Sequence, residues 1–239
     1  MSYFESRLRI NFEDFHDVQK RLILCEKLGI KNIILEAQNN LTKIPLNLKK
    51  KINEITKINV YYRINLRINN LEECKSLLKR YNKFSDILSI ESLNKEIQLY
   101  AAKDSRVDII SFSDKEIIKT LTPGVISLTK QNKSFIEFSL APIMETNQVL
   151  QSKNFRNLYR FMHLARKLKA NYIISGNFVK LFNFRHPRAM ISICHTLLGF
   201  PLDVAKNIFI KSPRILLERI QKRKDENIEP GVRIIKGGV

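Results

Sequence analysis

Residues 59–91 have the sequence NVYYRINLRINNLEECKSLLKRYNKFSDILSIE, which contains one complete unit of the fold. Its first run, NVYYRINLR (59–67), is rich in the β-branched and aromatic residues that are typical of a strand. Apolar residues at helical spacing follow, namely Leu71, Cys74, Leu77, Leu78 and Tyr81, and then a second apolar run, DILSIE (86–91). A strand, an amphipathic helix and another strand in this order predict parallel pairing through a right-handed crossover.

The same alternation continues on both sides of this unit. Upstream, residues 14–28 have a buried helical stripe of Val18, Leu22, Cys25 and Leu28. The strand-like runs are YFESRLRI (3–10), NIILE (32–36), NVYYRINLR (59–67), DILSIE (86–91), VDIISFS (107–113), FIEFSL (135–140) and YIISG (172–176). Seven such units without a glycine-rich dinucleotide loop favour a barrel over a doubly wound sheet. The sequence therefore predicts an α/β fold, an irregular TIM-like (β/α) barrel over residues 1–224 with extra C-terminal helices and a tail at 225–239.

The helices after the sixth and seventh strands have recognisable boundary signals. Three prolines fit a first helical turn, where the missing N–H costs nothing: Pro187, Pro201 and Pro213. Ser152 and Ser212 are the predicted N-caps of helices that contain NLYRFMHLARKL and PRILLERIQKRK. Gly199 fits the position just after the end of the helix that begins at Pro187.

The charge is distributed unevenly along the chain. The 239 residues include 42 Lys+Arg and 23 Asp+Glu, a formal net charge of +19. Residues 1–150 have 24 basic and 18 acidic side chains, whereas residues 151–239 have 18 and 5, and no carboxylate side chain lies between Glu145 and Asp203. Because arginine forks onto phosphate oxygens and five arginines lie in this acid-free window (146–202), we expect the segment to face a polyanion. A solvated basic face without a partner is the simpler alternative, although such one-sided charge destabilises a fold by self-repulsion.

The composition argues against secreted, membrane-spanning and thiol-based proteins. The N-terminal MSYFESRLR has no apolar signal-peptide core, and the longest uncharged stretch near the C-terminus, AMISICHTLLGFPL, is too short to span a bilayer. Cys25, Cys74 and Cys194 are far apart and form no CxxC, which predicts buried free thiols in a reducing compartment. We therefore expect a cytoplasmic protein with no membrane association.

Catalytic groups of a barrel enzyme lie at the C-terminal ends of the strands and in the loops that follow them. The polar residues predicted there are Glu36, Arg67, Glu91, Ser111, Ser113, Ser139, Ser175 and Asn177. None of the four histidines forms an HxH pair or lies on a predicted strand, and the acid-free window removes carboxylates from the late loops. No GxSxG elbow is present for a serine nucleophile. The sequence thus predicts no catalytic residue and no metal site.

Basic constellations are better supported. On the helix after the sixth strand, four residues are spaced to form one stripe: Arg156, Arg160, His163 and Lys167. A separate stripe of Phe155, Leu158, Met162 and Ala165 is suited to packing on the sheet. Because the helix has no acid, the basic stripe fits phosphate contacts or an acidic protein surface, with a solvated helix face as the simpler alternative.

The second basic constellation is NFRHPRAM (183–190), after the seventh strand. Arg185, His186 and Arg188 flank a helix start at Pro187, where free backbone N–H groups and the helix dipole favour an anion. Ser175 and Asn177 are predicted to turn the chain before this loop. Five aromatic residues interleave with the bases, and we expect most of them in the core and one or two free to stack on unpaired bases: Tyr159, Phe161, Phe178, Phe182 and Phe184.

Residues 106–235 of the chain resemble a known family. The segments that carry the resemblance are RVDIISFS (106–113), FIEFSLAPI (135–143), NLYRFMHLARKLKANYIISGN (157–177), FRHPRAMISICHTLLG (184–199), SPRILLERI (212–220) and EPGVRII (229–235). In order and spacing they are similar to ribonuclease P protein component 3, the archaeal–eukaryal thirty-kilodalton subunit family. The N-terminal half matches only in its strand–helix rhythm.

The resemblance implies a TIM-like barrel related to metal hydrolases but without their metal ligands. It also implies a role in the ribonucleoprotein that removes the 5′ leader from precursor tRNA, in which the RNA is the catalyst and protein component 2 and other protein subunits are partners. The family's basic loop matches Arg185, Pro187 and Arg188 here. Two positions depart from the family pattern: Ala189, where relatives often have an acid, and Asn177, where a small residue is common.

The resulting hypothesis is an RNA-contacting, non-catalytic subunit of ribonuclease P. Its partners would be the ribonuclease P RNA and precursor tRNA, and no cofactor would be bound by the protein, because the RNA holds the Mg²⁺ that cleavage uses. The predicted RNA-binding residues are Arg156, Arg160, His163, Lys167, Arg185, His186 and Arg188, with Tyr62, Arg63, Arg67, Ser175 and Asn177 as weaker candidates. Two alternatives remain: a divergent metal-dependent phosphoesterase using Glu36, Glu91 and His16, and a scaffold whose basic surface meets an acidic protein.

Overall fold

The computed structural model describes residues 2–38, 44–81 and 86–226. Seven strands form one parallel sheet in which each strand pairs with the next along the chain. The strands are β1 (Tyr3–Ile10), β2 (Ile30–Ala37), β3 (Asn59–Arg67), β4 (Ile87–Glu91), β5 (Ile109–Phe112), β6 (Phe135–Ser139) and β7 (Tyr172–Ser175). The two edge strands come together where the Glu5 carboxylate of β1 accepts a hydrogen bond from the Gly176 N–H at 3.0 Å. The sheet is therefore a nearly closed barrel, as the sequence predicts.

Helices pack around this sheet, and the last of them closes one end of the barrel. They are α1 (Phe15–Lys27), α2 (Leu46–Ile55), α3 (Leu71–Arg80), α4 (Lys95–Lys103), α5 (Pro123–Gln131), α6 (Gln148–Lys167), α7 (Pro187–Ser192) and α8 (Leu202–Glu226). The predicted stripes are confirmed: Val18, Leu22 and Cys25 of α1 are buried, as are Cys74 and Leu78 of α3. The main core lies between these helices and the outward-facing strand residues. All three cysteines are free and buried, as predicted.

Two predicted helix starts are wrong. Helix α6 begins at Gln148, because the Asn147 side chain caps it by accepting the N–H groups of Val149 and Leu150 at 3.0 and 3.1 Å, upstream of Ser152. Helix α8 runs without a break through Pro213, so Ser212 is not an N-cap. Buried residues on both sides of Pro213, including Phe209 and Leu216, hold the helix continuous despite a proline cost of about 3 kcal/mol.

The signals around α7 are confirmed. Pro187 is its first residue, and His186 is its N-cap. A π-helical turn, Ile193–Leu197, continues α7 and ends before Gly199, whose φ of +69° is the left-handed conformation that glycine adopts at low cost. Pro201 lies immediately before α8.

Helix α8 closes the amino-terminal end of the barrel. Its Leu216 and Ile220 pack inside the sheet against residues at the starts of four strands: Ile87, Ile109, Phe135 and Ile173. Its Arg219 and Arg223 bind the buried Asp108 carboxylate, with an Arg223 Nη1 to Oδ1 distance of 2.8 Å. This end of the barrel is thus plugged by the chain itself. The tail predicted from residue 225 falls mostly outside the described residues, since α8 extends to Glu226.

Candidate nucleic-acid interface

The barrel interior contains a buried network of charges. Arg7 of β1 is its centre and is about 1% exposed. Its guanidinium lies 2.8 Å from the Glu36 carboxylate, 2.9 Å from Glu91 and 3.5 Å from Glu137. It also donates hydrogen bonds to Ser111 and Ser113. Burial opposes the charge on Arg7, but the three carboxylates outweigh it and hold the pKa of the guanidinium above its usual range.

A second buried arginine completes the network. Arg63 of β3 is fully buried; its Nη2 donates to the Glu137 carboxylate at 2.6 Å and its Nε to the Ser89 hydroxyl at 2.7 Å. Burial works against ionisation of Glu137, yet the charges of Arg63 and Arg7 dominate and lower its pKa to about 2. The same holds for Glu91. Its burial raises the pKa, but the charges of Arg7 and Arg67 outweigh this effect and hold the pKa below its usual value.

Glu5 differs from the other interior acids because no arginine side chain of the described residues lies within 4.0 Å of its carboxylate. Its carboxylate accepts the backbone N–H groups of Arg7 at 3.1 Å and Gly176 at 3.0 Å. Burial outweighs these hydrogen bonds and raises the pKa of Glu5 to about 7. This carboxyl group is therefore the one at the β1–β7 seam whose charge changes near neutral pH.

Two of the carboxylates inside the barrel are paired with arginine side chains and are not free to act as catalytic groups. Glu36 and Glu91 are both held by Arg7, while His16 is exposed on the outside of α1 and does not reach them. In the described ranges, no group of three His, Cys, Asp or Glu side chains is arranged to hold a metal ion. The set proposed for a phosphoesterase, Glu36, Glu91 and His16, is thus not brought together.

The weaker RNA-binding candidates near the strands have mixed outcomes. Arg63 and Ser175 are fully buried in the barrel, and Tyr62 is 7% exposed. The prediction that these three residues lie on the surface is wrong, because successive residues of a barrel strand face either the axis or the surrounding helices. Arg67 lies at the open end of β3 with its side chain 43% exposed and its Nε 3.7 Å from Glu91. Asn177 is half-buried with a φ of +50°, a conformation that asparagine tolerates better than most residues.

The four residues of the predicted basic stripe on α6 differ in exposure: three are exposed and His163 is half-buried. Arg156, Arg160 and Lys167 are exposed, and Leu158 and Met162 are buried on the opposite stripe, as predicted. None of these three cations lies within 4.0 Å of a carboxylate in the described ranges. They therefore present uncompensated charge along one side of the molecule.

His163 has a structural position within this stripe. Its ring lies between Tyr159 and Phe200, with centroid distances of 4.3 and 5.0 Å, and its Nε2 is 2.8 Å from the Leu198 carbonyl oxygen. These contacts tie α6 to the segment before α8. The half-buried His163 ring thus has structural contacts of its own, and its predicted contact with RNA stays a prediction.

The loop between β7 and α7 is organised by its own arginine and histidine. Arg185 Nη1 donates to the carbonyl oxygens of Phe182 and Phe184 at 2.6 and 2.9 Å. The His186 ring accepts the N–H of Arg188 at 3.1 Å through Nδ1, which caps α7. His186 and Arg188 are exposed, and Arg185 is partly exposed. All three predicted residues therefore remain available at one edge of the barrel.

Sequence reasoning missed the interior role of Arg7, Glu5 and Glu137. A signal was present: in SRLR (6–9), YRIN (62–65) and IEF (136–138), charged or polar residues alternate with apolar ones inside strands. In a parallel strand covered by helices on one face, the polar set must then point toward the barrel axis. What the alternation does not reveal is which acid meets which base.

Comparison with known proteins identifies the family. The family model described as RNase P subunit p30 matches residues 6–225, which is nearly the whole chain. The chain belongs to the RNase P subunit p30 family. As a member of this family it is a protein subunit of ribonuclease P, and the resemblance seen in the sequence is confirmed.

Two relatives are named ribonuclease P protein component 3. The chain is 24% identical over 185 residues to the protein from Methanococcoides burtonii, covering 74% of this chain and 73% of the relative. It is 20% identical over 215 residues to the protein from Methanosarcina barkeri, covering 90% of this chain and 88% of the relative. Both alignments extend well beyond the segments that carry the sequence resemblance.

Solved structures show the same fold. A chain in a cryo-EM structure of archaeal ribonuclease P with mature tRNA superposes with a TM-score of 0.71 at 17% identity, covering 98% of both chains. The Aspergillus niger ochratoxinase superposes with a TM-score of 0.61 at 10% identity, covering 89% of this chain and 71% of the enzyme. Both superpositions show the barrel fold alone, because one fold can host unrelated functions. Across the described residues, no helix combines the length and apolarity needed to cross a bilayer.

Proposed function

We propose that this subunit supports the RNA of ribonuclease P by binding its phosphates, and that it takes no part in the chemistry of cleavage. The observation that carries the proposal is an exposed basic surface formed by Arg156, Arg160, Lys167, Arg185 and Arg188, hereafter the basic surface. It lies entirely within the acid-free window, residues 146–202. Precursor tRNA and the ribonuclease P RNA are polyanions that match this charge.

The state of these side chains supports phosphate binding. Within the described ranges none of the five forms an ion pair, so their charges are balanced by mobile counterions in solution. Binding to RNA phosphates releases counterions from the nucleic acid, so the logarithm of the binding constant falls linearly with the logarithm of salt concentration. Such contacts position a protein on RNA and add little sequence discrimination.

The interior supports a non-catalytic role. A general base or metal ligand must be free to accept a proton or a cation, whereas Glu36, Glu91 and Glu137 are each engaged by a buried guanidinium. We propose that the isolated chain does not cleave RNA and that the Mg²⁺ used in cleavage is held by RNA phosphates. We also propose a cytoplasmic location and pairing with protein component 2, which the family resemblance supports.

The salt dependence of RNA binding tests the basic surface. The R185A/R188A and R156A/R160A variants should bind the ribonuclease P RNA more weakly, and each lost phosphate contact should reduce the slope of log K against log salt by roughly 0.7–0.9. The matched control is K79A/K103A, which removes two exposed lysines on α3 and α4 outside the acid-free window. Its slope should equal that of the wild type. If both arginine pairs leave the slope unchanged, the basic surface does not contact RNA and an acidic protein partner becomes the better explanation.

Reconstitution tests the non-catalytic role. Precursor-tRNA cleavage is measured with the RNA and the other protein subunits, with and without this chain, and with this chain alone in Mg²⁺. We expect the complete mixture to cleave faster than the mixture lacking the chain, and the chain alone to be inactive. Leader removal by the chain alone, lost in an E36Q/E91Q variant that remains folded, would revive the phosphoesterase interpretation.

A further inference from the structure

An aromatic ring stands almost free of the protein in the loop between β7 and α7. Phe182 is 93% exposed, the highest exposure of any large hydrophobic side chain in the described part of the chain. Burial of a phenylalanine side chain contributes about 1.5–3 kcal/mol, so the fold gives up this stabilisation by leaving the ring in water. A side chain in this state is available for a partner.

The backbone that carries Phe182 is fixed. Residues Leu181–Asn183 form a 3₁₀ turn in which the Asn183 N–H donates to the Lys180 carbonyl at 3.0 Å. Arg185 binds the Phe182 carbonyl at 2.6 Å from the other side. The backbone at Phe182 is thus held in a defined position, which reduces the backbone entropy that binding must overcome.

Neighbouring aromatics anchor the two ends of the loop. Phe178 and Phe184 are 4% and 9% exposed, and their ring centroids are 6.0 Å apart. The guanidinium of Arg21 on α1 lies 5.9 Å from the centroid of Phe184 and is itself paired with Asp17 at 2.6 Å. The three phenylalanines of this loop therefore divide into two core anchors and one exposed ring.

The charges around Phe182 select the chemistry of its partner. Lys180 is exposed on the same loop, Arg188 is exposed in the first turn of α7 and Arg185 is partly exposed, while no carboxylate side chain occurs from residue 146 to 202. The carbonyl groups that Arg185 binds are neutral, so they do not cancel its charge. A nucleotide matches these surroundings, because its flat base can stack on the Phe182 ring and its phosphate can bind the neighbouring cations.

We propose that Phe182 stacks on an unpaired base of the ribonuclease P RNA while Lys180 and Arg188 bind the adjoining phosphates. The inference rests on the proposed function and assigns to it a base-stacking residue. Base–aromatic stacking tolerates any base, so this contact selects for a single-stranded or bulged nucleotide and not for a sequence.

Equilibrium binding separates stacking from phosphate contacts. In the full-length chain, F182A should weaken binding of the ribonuclease P RNA about 5- to 150-fold, equivalent to ~1–3 kcal/mol, with an unchanged salt slope because no charge is lost. F182W should retain affinity, whereas F182L should not restore it, because leucine keeps apolar area without a π-face. The matched control is V149A, at an exposed apolar residue of α6 that is 77% accessible.

The chain has no tryptophan, so F182W also provides a single fluorescent probe. Stacking on a base should quench its emission when RNA is added. The stacking proposal is overturned if F182A binds RNA with wild-type affinity and the emission of F182W is not quenched by RNA. In that case the proposed function still stands if R185A/R188A lowers the salt slope. A blue shift on adding the other protein subunits, without quenching by RNA, also overturns it and makes Phe182 a protein-docking residue. If the wild-type chain binds no RNA, the proposed function fails and the stacking contact fails with it.

Discussion

Removal of the Arg7 guanidinium tests whether the barrel depends on its interior charges. In R7M the aliphatic part of the side chain is retained, but Glu36, Glu91 and Glu137 lose the cation that contacts them at 2.8, 2.9 and 3.5 Å. Arg63 would then be the one fully buried guanidinium in the described network beside these carboxylates, with the more exposed Arg9 and Arg67 3.7 Å from Glu36 and Glu91. Removing one partner of a buried pair costs about 3–5 kcal/mol, because an uncompensated charge remains. For a chain of this size that corresponds to a fall in melting temperature of roughly 6–20 °C.

The pH dependence of R7M carries a specific signature. In the wild type, the pKa values of Glu91 and Glu137 lie below their usual values, the latter at about 2. Acids with a depressed folded-state pKa stabilise the fold above the unfolded-state pKa, near 4.5, and lose that contribution as the pH falls toward 2. Without Arg7 these pKa values rise, so the free-energy difference between wild type and R7M should be largest at pH 7 and should shrink below pH 4.5.

Urea unfolding monitored by circular dichroism at several pH values between 3 and 7 measures this difference. The control is K75M, which breaks the exposed Lys75–Glu72 pair on α3 and should leave the midpoint almost unchanged. A loss below about 1 kcal/mol for R7M at pH 7, with no dependence on pH, would refute the view that the interior ion pairs hold the barrel together.

Three further substitutions test other parts of the structure. Burial raises the folded-state pKa of Glu5 to about 7, so the contribution of the protonated group to stability is full below pH 4.5 and is lost as the pH rises through 7. In urea titrations, the free energy of unfolding of E5Q relative to that of the wild type should therefore increase between pH 4.5 and 8, by up to ~3 kcal/mol. G176A should lower the melting temperature, because a Cβ there would lie 2.6 Å from the Phe178 ring and 2.8 Å from the Glu5 carboxylate, whereas G124A, with 3.5 Å to its nearest neighbour, should be tolerated. L216A should cost about 2–5 kcal/mol in calorimetry, because Leu216 is fully buried inside the plugged end of the barrel; a loss under 1 kcal/mol would mean that α8 does not fill it.

The interior network engages the carboxylates that line the barrel axis. Two guanidiniums, those of Arg7 and Arg63, stand among these carboxylates. Burial opposes ionisation, but the two charges hold the pKa of Glu137 at about 2, and Arg7 holds that of Glu91 below its usual value. The carboxyl group with a raised pKa, Glu5, lies at the β1–β7 seam and accepts two backbone N–H groups. The acids in the barrel therefore serve its closure and its stability.

Much of the fold was predictable because its signals are local. The run 59–67 and the spacing of Leu71, Cys74 and Leu78 define a strand and a helix without reference to the rest of the chain. The predicted N-caps Ser152 and Ser212 failed for two different reasons. A better cap, Asn147, lies a few residues upstream of the first, and long-range packing of Phe209 and Leu216 overrides Pro213 at the second.

The candidate site was predictable only in part. The exposure of Arg156, Arg160 and Lys167 was predictable, because exposure of lysine and arginine on an amphipathic helix follows from its apolar stripe. Composition could not show that His163 is enclosed by Tyr159 and Phe200, or that Phe182 is exposed while Phe178 and Phe184 are buried. Three phenylalanines in one loop have the same intrinsic tendency to be buried, and only the residues that pack against each of them decide which ring is exposed.

The sequence by itself determined the seven strand–helix units, the acid-free window and the family, since these depend on residue order and composition. Only the tertiary structure decided the pairing of Arg7 and Arg63 with Glu36, Glu91 and Glu137, which come from strands up to 130 residues apart along the chain. The physical reason is that a charge in a strand can face the axis, the helices or solvent, and its energy depends on which other charges the closed barrel brings within about 4 Å. The strand order and register that set those distances are properties of the assembled sheet.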